Sequence, residues 1–138
     1  MQSVFRHFIL LFLGSYFSVV NAAQLTDSSV LQNMEHELNY QPLKTYQSLL
    51  TQADNIEGMS PHYKLWWLLR KAQAENLLYF FEKFERTVEQ AVALVNQQTP
   101  ARIIINIDIF RGLIFQRQGR YQQSQAILKK ALQSAVDN

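Results

Sequence analysis

The sequence predicts an all-α protein, and three observations carry that expectation. Apolar residues recur at helical intervals from residue 27 to residue 136. Capping residues, prolines and glycines cut this pattern into six helix-length segments, which fall into three pairs over 23–138. The single stretch that alternates as a strand would has no second strand nearby to pair with.

Residues 1–22 precede the helical part and read as a secretory signal. Arg6 supplies a short positive region, Phe8 to Val20 an apolar core, and Val20-Asn21-Ala22 a small-residue cleavage site. A membrane-spanning helix needs about 20 apolar residues, and Asn21, Gln24 and Thr26 to Ser29 end the run before that. The expectation is cleavage after Ala22 and a periplasmic or secreted chain. The alternative is an uncleaved membrane anchor.

In the first pair, Asp27 and Ser28 cap a helix in which Val30, Leu31, Met34 and Leu38 share a face, and Asn39-Tyr40-Gln41 breaks it. Pro42 opens the second helix, where its missing N–H costs nothing. Leu43, Tyr46, Leu49, Leu50 and Ala53 form its stripe, and Gly58 to Pro61 ends it. Residues 62–84 are the most apolar stretch after the signal, from Tyr63, Leu65 and Trp66 to Phe80, Phe81 and Phe84. A helix apolar on nearly every side must be covered on nearly every side, so this segment is placed centrally. Its partner runs from Glu85 to Asn96 with Val88, Ala91, Val92 and Val95 inward, and Gln97 to Pro100 closes the second pair. The isoleucines at 103, 105, 107 and 109 alternate, and β-branched residues favour strands. The segment nevertheless continues to Gln118 without a turn signal, and Asp108 and Arg111 form an i,i+3 charge pair that only a helix can use. Helix is therefore expected. Tyr121 to Val136 completes the third pair.

Gly112, Phe115, Gly119, Tyr121, Ser124, Leu128 and Ala131 stand at the spacing of a tetratricopeptide helix pair. In that pattern a small residue lets helix A approach helix B, an aromatic three positions on fills the gap, and small and large residues alternate along B. Gly112, Phe115, Ser124 and Leu128 occupy those roles. Gly119 falls where the chain turns with a left-handed backbone, and Tyr121 is placed to pack back over the turn. Asp108, Arg111 and Val136 depart from the usual Trp, Leu and Pro. Aligning Phe84, Thr87 and Ala91 with Tyr121, Ser124 and Leu128 gives an offset of 37 residues, against 34 in the standard unit. The chain thus resembles tetratricopeptide repeat proteins, which implies a right-handed α-solenoid of about three such pairs and a binding role. Together with the signal and the segment Ala131 to Asn138, it is similar to periplasmic tetratricopeptide sensor regions of bacterial signalling proteins of the diguanylate cyclase or kinase type. A truncated sensory input region of such a protein is the alternative to a scaffold acting by itself.

The resemblance also implies where a partner sits. Helix A lines a concave face, and the ligand-facing positions fall on Asn106, Ile109, Leu113, Gln116 and Arg117, with Tyr79 or Phe80 from the preceding repeat. Arg117 would hold a peptide carboxylate, Gln116 or Asn106 the peptide backbone, and Ile109 and Leu113 apolar side chains.

Composition narrows the chemistry. The chain has no cysteine, which excludes disulfides, a thiolate metal site, a cysteine nucleophile and lipid attachment through cysteine. Glu35-His36-Glu37 points to different sides of a helix, and the position four residues after His36 is Tyr40, so no zincin pair exists. The glycines after the signal, Gly58, Gly112 and Gly119, are too far apart for a phosphate loop. Glu75 and Asp108 lie in apolar surroundings, but pairing with Lys71 and Arg111 accounts for them. No catalytic cluster, metal or cofactor is expected, and an enzyme with an unrecognised site is the third alternative. The charge is divided. Residues 23–63 hold five acids against Lys44, a sum of −4, whereas residues 102–138 hold six basic residues against Asp108 and Asp137, a sum of +4. Scattered basic residues on helices read first as solvated surface, so nucleic acid is not expected, and a protein or peptide partner is what the resemblance implies. The stripe of Tyr121, Ile127, Leu128, Ala131, Leu132 and Ala135 is wide for one partner helix, which makes self-association through the third pair a further expectation; the alternative is that the polar face of Gln122, Gln125, Lys129 and Gln133 caps the end.

Overall fold

The computed structural model describes residues 36–137. Residues 1–35, on which the expected signal and most of the expected first helix fall, lie outside them. Residues 36–40 are helical. Six helices follow: α1 Pro42–Thr51, α2 Ala53–Ile56, α3 Pro61–Leu77, α4 Phe81–Leu94, α5 Ala101–Arg117 and α6 Tyr121–Val136. No strand occurs among the described residues. The 103–110 segment is helical, as its neighbours require.

Local chemistry sets most boundaries. Pro42 and Pro61 occupy first-turn positions, and Ser60 Oγ accepts from the Tyr63 N–H at 3.3 Å, satisfying a donor the helix cannot. The first break is a single residue, Gln41, because Asn39 and Tyr40 remain helical and the Gln41 N–H still bonds to the Glu37 carbonyl at 2.7 Å.

The apolar run at 62–84 is not one helix. It turns at Leu78-Tyr79-Phe80, where Tyr79 adopts φ +62°. The Tyr79 N–H bonds to the Asn76 carbonyl and the Phe80 N–H reaches back to that of Glu75. At the α5–α6 turn, Gly119 has φ +74°. Its N–H bonds to the Gln116 carbonyl, and the Arg120 N–H to that of Phe115. These are the same left-handed C-terminal motif, 40 residues apart, with Tyr79 standing where Gly119 stands. α3 and α5 each contain 17 residues. The offset between the hairpins is therefore 40 residues, against the 37 of the sequence alignment, and residues 95–100 link them. Glycine punctuation, which reveals the second turn in the sequence, is missing from the first.

α3 and α4 form one hairpin and α5 and α6 another; α1 packs on α3, and both α3 and α4 contact α5. α3 is buried from Leu65 to Arg70 and again from Ala72 to Glu75, as its central placement demands. The main core joins Leu49, Leu65, Trp67, Phe84, Ile103 and Phe110, with the Phe84 and Phe110 rings edge to face at 5.5 Å. Ile103, Ile107 and Phe110 face this core, whereas Ile105 packs with Ala131 and Ala135 of α6. That division explains the alternation: α5 lies between two layers, so both sides are apolar. On α4, Val88 and Ala91 are buried, but Val92 and Val95 are exposed, since no element covers that side of the helix end.

Candidate functional site

The turn between α3 and α4 carries a cluster of partly exposed aromatic rings. Tyr79 is 58% exposed and Phe80 and Phe81 are also accessible. The left-handed backbone at Tyr79 sends consecutive rings to opposite sides. Tyr79 meets Phe81 edge to face at 5.8 Å, while Phe80 turns toward α1 and packs against Tyr46 at 5.7 Å. Lys83 Nζ lies 5.1 Å above the Phe80 ring.

Arg117, at the last turn of α5, closes the other side. Its guanidinium stacks over Phe81 at 4.0 Å and lies 5.3 Å from Phe84, and its Nη2 donates to Asn76 Oδ1 at the end of α3. Tyr79, Phe81 and Arg117 thus form a continuous edge from the turn to α5, built from two hairpins. A planar cation above an aromatic face suits an apolar group beside a carboxylate. Of the expected ligand-facing residues, Tyr79 and Arg117 come together here.

The others are placed differently. Phe80 is directed away, to the α1 side. Asn106 is an interior residue, 6% exposed, and its Nδ2 donates to the Arg102 carbonyl in its own helix at 2.8 Å. Ile109 packs against two core clusters and Leu113 against one, because α5 is covered on both sides. Gln116 is half-buried beside Arg117. The sequence pattern missed Phe81 and Asn76. Phe81 was hidden because the apolar run was continuous through the turn; Asn76 showed no signal of its own. Tyr121, expected over the second turn, points outward and is exposed.

Beneath this edge runs a buried polar network. Glu75 is fully buried. Its Oε1 accepts from Lys71 Nζ at 2.7 Å and from the Tyr46 hydroxyl at 3.4 Å, and Lys71 Nζ also reaches Thr87 Oγ1 at 2.7 Å. α1, α3 and α4 are thereby tied through the Lys71–Glu75 pair, and Glu75 Oε2 has no hydrogen-bond partner. Asp108 is similarly occupied, by Arg111 at 3.5 Å and by Lys130 of α6 at 3.3 Å. The pairings expected for both carboxylates are present. At the start of α3, Trp66 Nε1 donates to His62 Nε2 at 2.9 Å, which places the neutral ring's proton on Nδ1. Burial, and secondarily the Arg102 charge, holds the His62 pKa below its ordinary value.

A second surface feature is an open groove of about 310 Å³ between α4 and α5. Its floor includes Val88, Val92 and Phe115, with Glu89 on the α4 wall and Arg111 on the α5 wall. Phe115 is flanked by the Arg120 guanidinium at 4.3 Å and that of Arg111 at 6.0 Å. Among the described residues, no group of three potential metal-ligating side chains occurs, and no helix is long and apolar enough to cross a membrane. Comparison of the chain with protein-family models, curated proteins and solved structures finds no match.

Proposed function

We propose that this chain is an exported, non-catalytic helical scaffold of tetratricopeptide type that binds a peptide or protein segment at the Tyr79–Phe81–Arg117 edge. The observation that carries this reading is Tyr79. A left-handed backbone costs a non-glycine residue about 1–2 kcal/mol, and the equivalent position 40 residues later is glycine. Sterically disfavoured backbone concentrates at sites that use the side chain. Here the strained residue is exposed, aromatic and next to a cation stacked on a second ring.

The repeat reading draws support from the shared turn geometry and from the contact between α5 and α6. A Cβ at Gly112 would come within 2.6 Å of Leu128, and Ser124 Oγ donates to the Gly112 carbonyl at 2.8 Å. Both are what a small residue at the helix A–helix B crossing is for. Export rests on the composition of residues 1–22. The preferred ligand is an extended segment that places an acidic group on Arg117 and an apolar side chain on Phe81 and Tyr79, with micromolar affinity, roughly −8 kcal/mol.

Selection of a random peptide library on the immobilised protein tests this. The expected result is an enriched peptide whose affinity falls about tenfold or more in Arg117→Ala, the range for a hydrogen bond to a charged group, and falls in Tyr79→Gly without loss of folded stability. A peptide that binds both variants as well as the wild type, or one lost instead on Val92→Asp in the α4–α5 groove, would refute the assignment. Leu113→Ala is unsuited to this purpose because Leu113 packs on the core.

A further inference from the structure

Among the described residues, two outward-facing apolar stripes remain, one on α6 and one on α1. On α6, Ser124, Ala131 and Ala135 are turned inward. Tyr121, Leu132 and Val136 fall on the adjoining side, at intervals that keep them on one face, while Leu128 packs toward Gly112 of α5. Leu132 is 51% exposed and Val136 72%. On α1, Thr45, Tyr46 and Leu49 are turned inward, and Leu43 and Leu50 share an adjoining face two turns apart, at 51% and 43% exposed. α1 packs on α3 and α6 on α5, so these faces belong to opposite ends of the helix order.

Their charges differ in sign. Lys129 is exposed on α6 beside Leu132, whereas Lys130 is engaged by Asp108. Asp54 and Glu57 are exposed on and after α2, just past the α1 stripe in the chain, and Lys44 is the one lysine or arginine between residues 36 and 60. Lys129, Lys130 and the exposed Asp137 sum to +1 on α6, and Lys44, Asp54 and Glu57 sum to −1 along α1–α2, so either face set against its own copy opposes like net charge. One of each brings unlike charges around an apolar centre.

We infer that the chain associates head to tail, the α6 face of one copy seating on the α1–α2 face of the next. The two surfaces differ, so the contact is heterologous and association continues beyond the dimer. This inference is independent of the peptide-binding reading, since neither face includes Tyr79, Phe81 or Arg117.

Sedimentation velocity of the purified protein over a range of concentrations tests it. At low salt the weight-average sedimentation coefficient rises with concentration beyond the dimer value, and the dissociation constant weakens several-fold at about 0.5 M salt, where charge attraction is screened within a few ångströms. Leu50→Glu and Leu132→Glu each leave a folded monomer, because both side chains are exposed. An equimolar mixture of the two restores association but stops at the dimer: one intact pair of faces remains, and the other opposes two carboxylates. If circular dichroism shows either variant unfolded, Leu43→Glu or Val136→Glu replaces it on the same face. A wild type that stays monomeric at every concentration overturns the inference. So does a Leu50→Glu variant that associates like the wild type, which would mean that α6 meets α6.

Discussion

Tyr79 and Gly119 hold the same backbone conformation at equivalent turns with different side chains, and that difference is measurable. Replacing Tyr79 with Gly removes about 1–2 kcal/mol of left-handed strain, and adds roughly 0.5–1 kcal/mol of backbone entropy cost. The ring is 58% exposed and meets Phe81 edge to face. Tyr79→Gly should leave the unfolding free energy unchanged or raise it by up to about 1 kcal/mol, by urea denaturation. Gly119→Ala, with nothing within 4 Å of its Cβ, should lose about 1 kcal/mol through strain alone. A larger loss in Tyr79→Gly than in Gly119→Ala would mean that Tyr79 is there for stability. His62 offers a second test at this scale. Its pKa is lowered in the folded state, so the unfolded chain binds the proton more readily as pH falls. The stability that His62 contributes is complete above its ordinary pKa of about 6.5 and is lost as pH drops through that value toward the folded pKa. The urea midpoint of the wild type should fall between pH 7.5 and pH 5 more steeply than that of His62→Gln, in which the amide oxygen still accepts from Trp66. Equal slopes would remove His62 from the account.

Between elements, close approach and buried charge are the two quantities at stake. Gly112→Ala gains roughly 0.8–1 kcal/mol of helix propensity but drives a methyl into Leu128, and overpacking costs about 1–3 kcal/mol. A net loss is expected, whereas Gly58→Ala, in open space, should be neutral. Glu75→Ala strands Lys71 and removes the junction of α1, α3 and α4, a loss of about 3 kcal/mol. The double variant Lys71→Met/Glu75→Leu should recover much of it, since no charge is then left unpaired. Helix pairing was legible where residues announce it: Pro42, Ser60-Pro61 and Gly119 mark boundaries, and the Asp108–Arg111 pair decides helix over strand at 103–110. The α3–α4 turn was not legible because Leu78, Tyr79 and Phe80 carry none of the usual turn chemistry. That one omission also shifted the repeat offset, misplaced the start of α4 and concealed Phe81. The candidate site was legible only as far as Tyr79 and Arg117. Asn106, Ile109 and Leu113 stand at ligand-facing positions of the tetratricopeptide pattern, but the covering of α5 on both sides is a tertiary fact.

For the molecule as a whole, export and binding are separate claims with separate tests. Mass spectrometry of protein recovered from an exporting host should find a chain beginning at Ala23, given the small residues at Val20-Asn21-Ala22; a species beginning at Met1 would favour the retained anchor. The central claim is that one edge, assembled from two hairpins, receives a peptide. Chemical-shift mapping of isotope-labelled protein with the library-selected peptide addresses it most directly. The account predicts that perturbed amides concentrate at residues 76–84 and 113–117, meeting at Tyr79, Phe81 and Arg117. Perturbations confined to the α4–α5 groove around Val92 and Phe115, or to the outer face of α6, would contradict it.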